Sequence, residues 1–210
     1  MNSKKKWEYF SKSLETIRNV YLECMESLEA IFSEEWKEFC ESKDGQQYKE
    51  YLREIEFPYR NTLNSSFLIA FCSLTEHVVA DITKENVSDF KKKEIKEKKK
   101  KVKDENNWLV TNIELLKTEF DINLNDADTM LFSHYIRIRN CVAHNGGRIS
   151  GSKYPPQLKK AIEAIQEYAK NGNYNNMITT KDDYLMVGGD LISDVVTKSE
   201  EIVERILEKI

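Results

Sequence analysis

Ser133-His134-Tyr135-Ile136-Arg137-Ile138-Arg139-Asn140-Cys141-Val142-Ala143-His144-Asn145-Gly146-Gly147 is the stretch on which the reading of this chain turns. Wound at about 100° per residue, Leu131, Tyr135, Ile138 and Val142 share one stripe. Ser133, His134, Arg137, Asn140, Cys141 and His144 fall on the opposite side. That pattern predicts an amphipathic helix with its apolar edge against a core. Arg139 lies between the two faces, and its long side chain can reach the polar one. Asn125 or Asp126 supplies the side-chain oxygen that caps the helix start. Gly146 and Gly147 accept left-handed backbone and predict its end. By composition alone the segment reads as a surface helix whose C-terminal His suits the helix dipole.

The same period extends outward in both directions. Trp7, Phe10, Leu14, Ile17, Tyr21, Cys24, Leu28 and Ile31 predict one long helix over 7–42, stopped at Asp44-Gly45. A short helix over 47–56 is expected to end before Pro58. A further helix over 60–83 follows, its stripe held by Leu63, Phe67, Phe71, Leu74, Val78 and Ile82. Helices over 105–120 and 158–170 flank the central segment, and a last one runs from 190 or 191 to the end. Between them, 176–187 contains two short alternating stretches around Lys181-Asp182-Asp183, the pattern of a hairpin. With 7 glycines and 3 prolines in 210 residues, the chain lacks the turn formers of a sandwich or barrel. It reads as all-α, an up-and-down helical bundle with a small C-terminal β-hairpin appendage. A single domain over 1–210 is expected, its core at about 60–170 and its hairpin and terminal helix at 173–210.

No apolar run reaches the roughly 18 residues that span a bilayer, and the opening MNSKKKWEYF has no apolar signal core, so a cytoplasmic protein with no membrane partner is expected. Cys24, Cys40, Cys72 and Cys141 are far apart and lack a CxxC pairing, which reads as buried thiols rather than disulfides or a zinc site. His134 and His144 have no metal-ligand spacing between them, so no metal and no cofactor are expected. His77 reads as a core or boundary residue, and Trp36 and the tyrosines read as packing rather than as base-stacking platforms, which need interleaved basic residues on a sheet.

Residues 91–103 carry nine lysines and two glutamates, a local charge of +7 in a chain whose net is −4. A run of this kind is either a solvated connector or an arm that contacts phosphates through lysines such as Lys98, Lys99, Lys100 and Lys101.

Arg139-Asn140-x-x-x-His144, followed by Asn145-Gly146-Gly147, resembles the signature of the HEPN superfamily, in which an Arg, four to six residues and a His close an inner helix. Arg137 to His144 fits the longer spacing. The upstream stretch RNTLNSSFLIAFCSLTEHVV resembles the helix packed beside that motif, and the likeness covers about 60–170. The resemblance implies a helical bundle, often a dimer with two motif helices across a twofold axis, and an endoribonuclease activity of toxins and antiviral or abortive-infection effectors. Other members are non-catalytic binding modules. Toxins paired with a nucleotidyltransferase antitoxin usually carry Tyr two residues after the His, where this chain has Gly146.

The residue types suit that chemistry. RNA brings its own nucleophile, the 2′-OH, so a base and a cation can suffice without a metal. His144 is the expected acid or base near neutrality. Arg139 or Arg137 offers a planar fork to phosphate oxygens. Asn140, four residues before His144, can orient the imidazole or bind phosphate. A single imidazole cannot be base and acid in one step, so a homodimer acting on RNA is expected, alone or with an antitoxin or defence partner. The alternative expectation is a HEPN-like module that binds a ligand or partner without catalysis.

Overall fold

The computed structural model describes residues 3–40, 45–89, 91, 93 and 108–210. Six long helices and one hairpin make up most of them: α1 (Ser3–Cys40), α2 (Gly45–Asn86), α3 (Trp108–Phe120), α4 (Asp126–Asn145), α5 (Pro155–Asn171), β1 (Ile178–Lys181), β2 (Tyr184–Val187) and α6 (Gly189–Leu207). The all-α reading with a small hairpin holds. Helix α2 is the central post, packed against α1, α3, α4 and α6. Its Leu68, Phe71, Cys72, Val79 and Ile82 are fully buried, as are Phe10 of α1 and Leu191, Val195, Val203 and Ile206 of α6. Each such side chain contributes about 1.5–3 kcal/mol through burial, so the core is cemented mainly along α2.

Two expectations for α2 are corrected. The chain does not break before Pro58; α2 passes through it as one helix of 42 residues. Proline removes one backbone bond and costs about 3 kcal/mol inside a helix, but its fixed φ is itself helical, so strong flanks can carry it. Here Thr62 Oγ1 donates to Pro58 O at 2.8 Å, and Arg60 Nε to Glu56 Oε1 at 2.5 Å. The second correction concerns hydropathy. The stretch Glu56–Asn86 is long and apolar enough, by length and composition, to cross a membrane, and half of its most apolar window is buried inside the bundle. Its Asn64 and Thr75 are spent on bonds to other elements, as a core helix requires.

The hairpin is sewn onto the bundle at both ends. Ile178 pairs with Val187 and Lys181 with Tyr184, and the connecting Asp182 and Asp183 both have positive φ (49° and 68°). Two consecutive left-handed residues make the mirror-image turn that matches strand twist, and Asp is among the residues that tolerate it. At the other end, buried Asn64 of α2 donates to Val187 O at 2.8 Å and accepts from Tyr21 OH at 2.9 Å, while Val187 N donates to Asn61 Oδ1 at 2.8 Å. Inward-facing Leu185 and Val187 are buried, and outward-facing Tyr184 is exposed.

Candidate functional site

Helix α4 begins and ends where its sequence predicts. Asn125 Oδ1 accepts from Ala127 N at 3.0 Å, satisfying one orphan amide of the first turn. At the exit, Gly146 has φ 58°, and its amide donates to Val142 O at 3.1 Å while Gly147 N donates to Cys141 O at 3.2 Å. Gly147 is held for a second reason: at φ 82°, a Cβ there would sit 3.1 Å from Leu185 O. The backbone of β2 thus lies against the end of the motif.

The inward side of α4 buries Leu131, Tyr135 and Ile138, and Val142 is half-buried against the core. Tyr135 OH donates to Asp194 of α6, whose other carboxylate oxygen accepts from Tyr168 OH and Tyr174 OH, each at 3.1 Å. Asp194 is only 5% exposed. Burial, followed by the negative charge of Asp194, holds the Tyr135 phenol far above its ordinary pKa, so it stays a donor. This carboxylate, receiving three phenols, fixes α4 to α5 and α6. Nothing in the sequence singled it out, because its members lie up to 59 residues apart.

The two arginines part company. Arg139 pairs with Glu76 of α2, and both side chains are largely buried, at 14% and 21% exposure. Its Nε is buried without a partner. Cys72 lies beside it: burial pushes that thiol up to about 12, with the Arg139 charge acting in the opposite direction. Arg137, two residues earlier, is half-buried on the other side of the helix, followed by exposed Asn140 and exposed His144. Spaced three and four residues apart, these three share one face. Arg137, Asn140 and His144 therefore come together on one side of α4, while Arg139 turns away into the contact with α2.

Three further placements qualify the polar face. Cys141, assigned to that face, is buried at 2% exposure and donates to Arg148 O at 3.6 Å, because the loop after the helix folds back over it. Burial pushes its thiol up to about 11. His134 is half-buried with Nδ1 lacking a partner; burial and then the Arg137 charge lower its pKa, both disfavouring the charged imidazolium. His77 is not a core residue: its side chain is 63% exposed and Nε2 lies 3.4 Å from Asp81 Oδ2. Lys98, Lys99, Lys100 and Lys101 lie outside the described residues; Lys91, at the start of the run, pairs with Glu119 of α3.

The loop that leaves His144 is tied down by the hairpin turn. Ile149 N donates to Asp183 O at 2.8 Å and Leu185 N to Gly147 O at 2.9 Å. The Asp183 carboxylate accepts from Ser150 N at 3.1 Å and from Ser150 Oγ, with Arg148 Nε at 3.6 Å. The Ser150 hydroxyl, then its amide and Arg148, hold the Asp183 carboxyl below its ordinary value. Among the described residues, no group of three or more His, Cys, Asp or Glu is placed to hold a metal ion. No protein-family model, curated protein or solved structure matches the chain.

Proposed function

We propose that this chain is a metal-independent endoribonuclease of the HEPN type, acting as a homodimer. The observation that carries this reading is that Arg137, Asn140 and His144 share one side of a helix end which is locked from behind through Tyr135 and Arg139 and from the exit by the hairpin. In the reaction, His144 takes the proton of a 2′-OH, the 2′ oxygen forms a bond to phosphorus, and the bond to the 5′ oxygen breaks. The products are a 2′,3′-cyclic phosphate and a 5′-OH, the latter protonated by His144 of a second copy. Arg137 meets the phosphate oxygens and Asn140 orients the imidazole or binds phosphate. Arg139, already matched by Glu76, acts through the helix as a positioning residue. Across the twofold axis it is then the two Arg137 side chains that approach, and the RNA phosphate is the anion between them. A toxin or defence effector held by a partner protein is the setting such an activity fits.

A second reading has its own support. The motif arginine is neutralised inside its own chain, which suits a module that binds RNA or a partner and does not cleave. Incubating the purified protein with total RNA in EDTA beside His144→Ala separates the two. The expected loss on substitution is about 10²–10⁴-fold, with cyclic phosphate ends on the parent's products. Equal cleavage by a folded His144→Ala protein overturns the site; binding without cleavage by the parent selects the module. Light scattering at micromolar concentration is expected to give a dimer, and a fully active monomer would remove the two-copy scheme.

A further inference from the structure

Arg148 and Tyr184 form an antiparallel bridge, and the backbone bonds flanking it run from Ile149 N to Asp183 O and from Leu185 N to Gly147 O. The pair is therefore a non-hydrogen-bonded one, the kind in which opposed side chains approach most closely and emerge on the same face. On its other edge Tyr184 is paired with Lys181. The segment after His144 thus bridges the free edge of the two-stranded hairpin at one residue, and across it runs one row: Lys181, Tyr184, Arg148. All three are exposed, the tyrosine at 47% and the Arg148 side chain at 62%. The opposite face of the hairpin, Leu185 and Val187, is buried against the bundle. A half-exposed aromatic ring flanked by two cations on a sheet surface is an arrangement that structural packing does not require.

The row lies close to the candidate site. Only Asn145, Gly146 and Gly147 separate His144 from Arg148, no more than about 14 Å of fully extended chain. Its charge balance also has a sense. The Asp183 carboxylate is engaged by Ser150, its contact with Arg148 Nε is longer than a hydrogen bond, and Lys153 beside Tyr154 adds a further cation to the same loop. Arg148, Lys153 and Lys181 thus stand against Asp182 and Asp183, with Glu54, Glu56 and Arg60 sharing a cavity with Lys181, so Arg148 and Lys181 act on the ring's flanks locally and not as a broadly positive field.

We propose that this row is a stacking platform for an unpaired base of single-stranded RNA, with Tyr184 under the base and Arg148 and Lys181 on the flanking phosphates. Every base has a π face, so such a platform selects for single strands without selecting sequence. It deepens the ribonuclease reading by naming the form of RNA delivered to His144, and it can fail independently of it.

The test is binding rather than cleavage. A labelled single strand of about 12 nucleotides, 2′-O-methylated so that it cannot react, is titrated with the full chain in EDTA and followed by fluorescence anisotropy. Tyr184→Ala should weaken binding about 5- to 150-fold, the worth of one stacked base, while Tyr184→Phe, which keeps the ring, should bind within about twofold of the parent. Arg148→Gln with Lys181→Gln should flatten the slope of log affinity against log salt by about 1.4, because each cation that no longer neutralises a phosphate of a single strand lowers the slope by about 0.7. Unchanged binding by a folded Tyr184→Ala protein, equal weakening by Tyr184→Phe, or a duplex bound as tightly as the single strand would each overturn the platform. Cleavage of total RNA that persists in any of those cases leaves the activity assigned to His144 standing.

Discussion

Arg137 and Arg139 stand two residues apart on one helix, carry the same charge, and end in different worlds. Arg139 is drawn into the seam between α2 and α4, where Glu76 answers it, and Arg137 stays on the side that carries Asn140 and His144. Two residues along a helix amount to about 200° of rotation, so the core-facing phase set by Tyr135 and Ile138 decides which arginine can meet a ligand. In a motif read by spacing, helix phase assigns the roles. The inner arginine is held by Glu76 in the seam with α2, and the outer one shares a side with Asn140 and His144.

The inner side should be the costlier to disturb. Replacing Asp194 by Ala leaves three phenols without their acceptor, and a destabilisation of about 3–5 kcal/mol is expected, a fall in Tm of roughly 6–20 °C in calorimetry. A loss below about 0.5 kcal/mol would mean that the three tyrosines do not hold α4 in place. Next in size, Glu76→Ala should cost about 1–3 kcal/mol by leaving the Arg139 charge poorly answered in a largely buried seam. Adding Arg139→Met should then recover part of that loss, since the uncompensated charge goes with it; strictly additive losses in urea melts would show that the pair is not coupled.

The outer side should cost less to disturb. Arg137→Gln is expected to destabilise the fold less than either Asp194→Ala or Glu76→Ala while flattening the salt slope of single-strand binding by about 0.7. If instead Arg139→Gln moves the slope and Arg137→Gln does not, the assignment of the two arginines is reversed. The smallest effect concerns the exit loop. Because the folded pKa of Asp183 is lowered, its contribution is present above the unfolded value, near 3.8, and is lost only as pH falls through the lower folded one. The Ser150 amide resonance should therefore stay in its neutral-pH position down to about pH 4 and titrate below it, and Asp183→Asn should abolish that step. A midpoint at or above 3.8 would count against the latch.

Local features were readable from the chain, and partnerships across it were not. The cap at Asn125, the glycine exit, the core stripe of α4 and the turn at Lys181-Asp182-Asp183 each depend on neighbours within a few residues, and all were legible. Pro58 misled because a breaker acts on one bond, whereas the helix around it is set by tertiary packing along α2. His77 misled for a related reason, and Cys141, expected as a buried thiol, was misplaced only in being assigned to the polar face: each sits at the edge of a helical stripe, where a residue's exposure is decided by what folds over it. Glu76 and Asp194 carried no signal, and Asp183 showed only as a turn residue, not as the acceptor of Ser150. A lone carboxylate in a charged, helical sequence looks like solvated surface until the fold brings an arginine, three phenols or a serine to it. Tyr184 was hidden in the same way, since an exposed aromatic gains meaning only from the cations opposite it on the sheet.

The stitch between the hairpin turn and the loop after His144 has a consequence in time. The segment from Arg139 to Gly147 is made 36 residues or more before Asp183, and buried Asn64 waits 123 residues for Val187. At about 5–20 residues per second, a growing chain carries the finished motif for roughly 2–7 s before the carboxylate that closes its loop exists. Throughout that interval the protein is still attached to a translating ribosome, among the RNAs of its own synthesis. The order of elements along the chain therefore leaves the loop after His144 without its Asp183 and Leu185 partners until the hairpin has been made.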